Sequence, residues 1–97
     1  MEIQDLRDEL SAKVKAIDPI GKRLKFNIDG EFILIDGRGD TNQISDQDED
    51  ANCTIIMSKD TYLKLQRKEI KPMIATLTGK LKVKGDIGLA KKLKVLM

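Results

Sequence analysis

Apolar side chains at Ile3, Leu6, Leu10, Val14 and Ile17 recur at steps of three and four, which marks one stripe of an amphipathic helix. Asp18-Pro19 ends that run, because the residue before a proline avoids the helical region. From Arg23 the period changes to two. Leu24, Phe26 and Ile28 alternate with Arg23, Lys25 and Asn27, as in a half-buried strand. Asp29-Gly30 is a two-residue hairpin signal, and the return strand runs from Glu31 to Asp36. Such a turn pairs Ile28 with Glu31, Phe26 with Ile33 and Leu24 with Ile35. Paired residues share a face. Ile33 and Ile35 therefore join the apolar side of the first strand, while Phe32 and Leu34 point away. The return strand is apolar on both faces, so either both faces are covered or one meets a partner.

The stretch from Gly37 to Asp50 is polar, with a short edge strand expected at 41–45. Residues 52–57 read as a further strand, with Cys53, Ile55 and Met57 on one side. Ser58 is suited to cap a helix over 59–68. Lys71-Pro72 opens a second short helix with proline in its first turn, and Gly79 closes it. Leu81 and Val83 alternate with Lys80, Lys82 and Lys84, giving a last strand with one wet face. Gly85 turns the chain, and Asp86 caps a final helix with Leu89, Leu93 and Leu96 on one stripe. The order lacks a regular strand–helix–strand alternation. It predicts an α+β fold with a mainly antiparallel sheet.

Composition narrows the chemistry. Ninety-seven residues make one domain, expected to span 1–97, and 40% hydrophobic content supplies one core. There is no His, which removes His-based triads, acid catalysis and metal ligation. The single cysteine, Cys53, excludes an internal disulfide or a Cys zinc cluster and fits a reducing compartment. The charged N-terminus is not a signal peptide, and no apolar run approaches membrane-spanning length. Residues 1–58 carry 7 bases and 13 acids, whereas 59–97 carry 11 bases and 3 acids. The chain is an electrostatic dipole along its length. Its basic half suits solubility or an approach to anionic lipid or an acidic partner.

Most candidate motifs reduce to local structure. Asp46, Asp48 and Asp50 have the spacing of calcium-loop ligands, but Ala51 and Met57 stand where that loop needs Gly and Glu, so a solvated acidic turn is expected. Arg38-Gly39-Asp40 reads as a turn. A carboxylate dyad lacks the apolar surroundings that raise a carboxyl pKa. Cys53 has no histidine base, and Tyr62 on a short helix suits packing. The Gly85–Gly88 run lacks a phosphate-loop pattern, and Asp86 opposes an anion there. Lys80, Lys82 and Lys84 have no interleaved aromatics for base stacking, so nucleic acid is not expected. What remains is aliphatic content with Met57, Met73 and Met97, unbranched side chains that fill cores or line pockets.

The run from Asp50, DANCTIIMSKDTYLKLQRKEIKPMIATLTGKLKVKGDIGLAKKL, closely resembles the sterol carrier protein two family, the non-specific lipid-transfer proteins. Its marks are Ala51-Asn52-Cys53-Thr54, Ser58, Pro72-Met73 with Ala75, and above all Gly79 to Leu93. The hairpin from Phe26 to Gly37 fits the earlier part of that domain, and the resemblance covers roughly residues 20–97. It implies a five-stranded sheet, helices on one face and an apolar tunnel between them. It also implies non-covalent binding of sterols, fatty acids, fatty acyl-CoA or phospholipid, without a cofactor. Three aromatics give a planar sterol few stacking partners. Without a peroxisomal signal, the chain looks like a stand-alone bacterial-type form.

The expected protein is thus a non-catalytic, cytoplasmic lipid carrier. The alternatives are an accessory module presenting lipid to a partner enzyme or complex, a structural domain with a filled cavity, and an enzyme. The expected lining is Phe26, Ile28, Met57, Met73, Ile74, Leu77, Val83, Leu89, Leu93 and Leu96. Lys91, Lys92 and Lys94 are expected to meet lipid head groups or an anionic membrane in transient contact. The sequence leaves the oligomeric state open.

Overall fold

The computed structural model describes residues 3–91. In chain order it contains α1 (Ile3–Lys15), β1 (Arg23–Ile28), β2 (Glu31–Asp36), β3 (Gln43–Ser45), β4 (Cys53–Met57), α2 (Lys59–Gln66), α3 (Pro72–Leu77), β5 (Leu81–Gly85) and α4 (Ile87–Ala90). The strands form one five-stranded sheet in the order β3-β2-β1-β4-β5. Its pairs are antiparallel except β1 with β4, which run parallel. The hairpin register is the expected one, with Leu24, Phe26 and Ile28 opposite Ile35, Ile33 and Glu31. Asp29 and Gly30 both take positive φ, as a tight hairpin turn of this hand requires.

Register carries the apolar pattern across the sheet. Leu24, Phe26 and Ile28 align with Cys53, Ile55 and Met57, which align in turn with Gly85, Val83 and Leu81. All these positions share one face, and every helix packs on it. Leu6, Leu10 and Val14 of α1, Tyr62 and Leu65 of α2, Ala75 of α3 and Leu89 of α4 join the sheet residues in one buried cluster.

The opposite face is covered differently. The connection from edge strand β3 to β4 must cross β2 and β1, and residues 46–52 do so as a strap on the helix-free side. Lys25 Nζ binds Asp48 Oδ1 at 2.7 Å and the Glu49 carbonyl at 3.1 Å. Arg23 binds Glu49 Oε2 at 3.0 Å and the Asp50 carbonyl at 3.2 Å. The acidic run expected to be a solvated turn is therefore also an ion-paired clasp. Leu34 is buried on this side, outside the main cluster, and Lys25 lies 5.3 Å from the Phe32 ring centre. Both faces of the return strand are thus covered by the chain's own residues.

Asn42 ties the sheet edge to α1. Buried to 4% exposure, it donates to the carbonyls of Val14 (2.9 Å) and Asp18 (3.2 Å) and accepts from the Ile20 amide (2.9 Å). One side chain thereby satisfies three backbone groups around the end of a helix, where carbonyls lack intrahelical partners. Gly37 makes room for it, since a Cβ there would lie 2.5 Å from both Asn42 Oδ1 and an Ile20 side-chain carbon.

Candidate functional site

The helix-side face of the central strands is aliphatic with one aromatic. Phe26, Ile28, Met57 and Leu89 are buried together in the main cluster, and Val83 packs against it half-buried. These five residues therefore meet between the sheet and the helices. Leu24, Ile55 and Leu81 belong to the same wall by register. The alternation that placed Phe26 would also have placed them.

Met73, Ile74 and Leu77 are elsewhere. They are 67%, 46% and 76% exposed on α3, whose buried side chain is Ala75. An α-helix turns about 100° per residue, so Met73 and Leu77 lie about 160° from Ala75. The six-residue helix sets a methyl group against the core and three larger apolar side chains toward solvent. This corrects the interior placement expected for them. The physical reason is helix phase. Lys71 caps the start with proline following it, and the Lys80 amide bonds back to the Ala75 carbonyl at 2.9 Å. Those two ends fix Ala75 inward. Ile87 on α4, which the sequence did not single out, is 70% exposed. Leu93, Leu96, Lys92 and Lys94 lie outside the described residues, and Lys91 is exposed at the end of α4.

Two surface pockets are described. One, of about 570 Å³, lies between the C-terminal half of α1 and β3, bordered by Val14, Lys15, Ile17, Asn42 and Ile44. The other, of about 390 Å³, lies at the end of β4, bordered by Asn27, Met57, Gly79, Lys80 and Lys82. Met57 is the expected lining residue that borders the second pocket.

The polar groups here have structural partners. Burial pushes the Cys53 thiol up, which disfavours the nucleophilic thiolate. Burial also pushes the Tyr62 phenol up to about 12, and its hydroxyl accepts from Gln66 Nε2 at 2.8 Å. Asp86 caps α4 by accepting from the Leu89 amide and pairs with Lys22, whose hydrogen bond holds its carboxyl below the usual range. Gly85 precedes it at φ +95, where a Cβ would lie 2.4 Å from the Asn52 carbonyl oxygen. The Gly85–Gly88 run thus serves a close strand approach and a helix cap. Asp36 engages Arg38 through two side-chain hydrogen bonds, which hold the first side chain of the Arg38-Gly39-Asp40 run against its own strand end. Among the described residues, no three His, Cys, Asp or Glu side chains gather as a metal-holding group. No helix among them is long and apolar enough to cross a membrane.

Comparison with known proteins adds the family. The profile of the SCP-2 sterol transfer family matches residues 2–97. The chain is 36% identical over 78 residues to sterol carrier protein 2 of Rattus norvegicus, covering 80% of this chain and 13% of the rat protein. It is 33% identical over 78 residues to hydroxysteroid dehydrogenase-like protein 2 of Danio rerio, covering 75% and 19%. The chain thus spans about a fifth or less of these longer relatives. Among solved structures, sterol carrier protein 2 like 2 from Aedes aegypti superposes with a TM-score of 0.78 at 21% identity, covering 98% of this chain and 95% of that one. The palmitated form of that protein gives 0.74 at 23% identity, covering 99% and 95%. A ubiquinone synthesis protein, UbiJ-SCP2, gives 0.70 at 19% identity, covering 96% and 86%. These likenesses establish the fold, and the profile with the closer sequence relatives establishes descent: the chain belongs to the SCP-2 sterol transfer family.

Proposed function

We propose that the chain, acting as one domain over 1–97, is a non-catalytic carrier that holds a fatty acid, fatty acyl-CoA or phospholipid between the helix-side face of the sheet and α3. The observation that carries this reading is the thinness of the cover at α3. Over most of the sheet the helices contribute Leu, Val and Tyr to the core, but α3 contributes one methyl group. Displacing α3 would forfeit little packing and would uncover the aliphatic wall of Met57, Leu81 and Val83. Burying a palmitoyl-length chain there, at about 0.8 kcal/mol per CH₂, is worth on the order of 10 kcal/mol before association costs. Little directional chemistry is needed, which suits broad specificity. Phe26, Ile28 and Leu89 extend the proposed wall, with Leu93 and Leu96 from the C-terminal stripe. Met73, Ile74 and Leu77 would border the entrance. Lys91, Lys92 and Lys94 would approach anionic head groups.

The absence of histidine and the buried thiol and phenol support a role without catalysis or cofactor. Free Cys53 accords with the cytoplasm. The test is delipidated protein titrated with a fluorescent fatty acid, then challenged with palmitate, palmitoyl-CoA and phospholipid. Saturable displacement and a saturable rise in Tm are expected, by mass action. No displacement and no Tm shift with any of the three would overturn the carrier reading.

A second reading is an accessory module that presents lipid to a partner enzyme or complex. It is favoured by the sequence match of this chain to a small part of a longer relative named as dehydrogenase-like. A stable partner in a pull-down from native cells, without transfer between vesicles, would select it.

A further inference from the structure

We infer that the outward face of α3 is a membrane-seating surface, on which Met73, Ile74 and Leu77 enter the interface of an anionic bilayer. The inference rests on the carrier reading for its purpose, though not for its test. Amphipathic helices in a globular protein turn their apolar side inward. In α3 the polarity is reversed, with three large aliphatic side chains in water and a methyl against the core. Continuous exposed apolar surface of this kind marks an interaction site.

Three observations select a bilayer as the occupant. The first is charge. Residues 67–80 hold four bases, Arg67, Lys68, Lys71 and Lys80, against one acid, Glu69. All four bases are exposed, and none carries an ion pair among the described residues. Long basic side chains beside an apolar face can lay their stems along it and reach up to phosphate. The second is size. Three side chains expose on the order of a few hundred Å², well under the roughly 800 Å² per partner of a stable protein interface. A bilayer needs no matching surface, so a small apolar patch within a basic segment suffices. The third is position. Ala75 is the buried side chain of α3, which packs on β5, so the surface that would touch the bilayer also covers the proposed lipid site. A lipid leaving there would pass into acyl chains with little exposure to water.

The outer side of α1 provides an internal contrast. It shows Asp5, Asp8 and Glu9 to solvent, which an anionic surface repels.

The experiment uses ligand-free full chain and measures co-sedimentation with vesicles of phosphatidylcholine, with and without phosphatidylglycerol. Fatty-acid affinity is measured separately by displacement. Wild type should partition onto the anionic vesicles and weakly onto neutral ones, and should be released by salt. The pair Met73→Ser and Leu77→Ser should lose about tenfold or more in partitioning, with Tm unchanged. Arg67→Gln, Lys68→Gln, Lys71→Gln and Lys80→Gln together should weaken the anionic preference about tenfold or more. Equal partitioning of wild type and the serine pair, or equal binding to neutral and anionic vesicles, would overturn the inference. So would loss of partitioning only when Lys91, Lys92 and Lys94 become Gln. A dimer in wild type that the serine pair converts to monomer would assign the patch to a second copy instead. Vesicle binding without fatty-acid binding would sink the carrier reading and leave the seating surface standing. Fatty-acid binding without vesicle binding would do the reverse.

Discussion

α1 and α3 lie on the same face of the same sheet and solve opposite problems. α1 runs 13 residues and sinks Leu6, Leu10 and Val14 to full burial, with its charges outward. α3 runs six residues and sinks Ala75, with its large apolar side chains outward. The difference teaches where this fold is rigid. A helix holding three fully buried aliphatic side chains leaves the sheet only when the core opens. A helix holding one methyl group can leave with the rest of the fold intact, because local opening costs what its own buried contacts were worth. α1 also has a tether that α3 lacks, since Asn42 locks the carbonyls near its C-terminal end to the sheet edge. The Lys71 cap of α3 makes no side-chain hydrogen bond.

The largest effect expected is at Leu10. Leu10→Ala removes a fully buried side chain and should cost about 2–5 kcal/mol in urea unfolding. A cost under about 1 kcal/mol would show that α1 is as loosely held as α3. Next comes Asn42→Ala, which strands two carbonyls and an amide near the end of α1. A loss of about 1–3 kcal/mol is expected, with faster amide hydrogen exchange in the last turn of α1 and unchanged exchange in α3. Faster exchange in both helices alike would mean that they open as one unit.

Acid separates the helices a third way. Hydrogen bonds from Arg38, aided by Arg23, hold the Asp36 carboxyl well below its usual range. A depressed carboxylate stabilises the fold at pH values above the unfolded pKa of about 3.9, and that contribution fades as pH falls through and below it. Asp36→Asn should therefore lower Tm at pH 7, and the gap to wild type should narrow progressively as pH falls below about 3.9. α3 exchange at neutral pH should be the same in both proteins, because Asp36 sits on β2 and α3 on β5. A gap that widens in acid would reverse the sign assigned to Asp36. The smallest effect belongs to Leu77→Ala. With Leu77 76% exposed, the change in stability should stay within about 0.5 kcal/mol. A core-sized loss would place Leu77 inside and remove the contrast with Leu10.

Local pattern decided much of this protein from sequence. The α1 stripe, the Asp29-Gly30 turn, the Ile33–Phe26 register and the Ser58 and Asp86 caps each depend on residues within a few positions of one another. Period and turn chemistry therefore make them legible. Phe26, Ile28 and Met57 were legible as residues of the helix-side face for the same reason, since strand alternation fixes their face. Lys68 was not foreseen, because a lysine at φ 60 ends α2 where glycine is the usual signal.

The tertiary structure decided the rest, and in each case the partners are far apart in sequence. The parallel pairing of β1 with β4 joins Leu24 to Cys53, which no local pattern specifies. The acidic strap and Asn42 acquire their roles from Arg23, Lys25, Val14 and Asp18, residues 23 or more positions away for every bond named. α3 is the sharpest case. Its sequence contains apolar side chains on more than one side, so periodicity leaves its buried face undetermined. The docking of its two ends over β5 turned Ala75 inward and left Met73 and Leu77 in water.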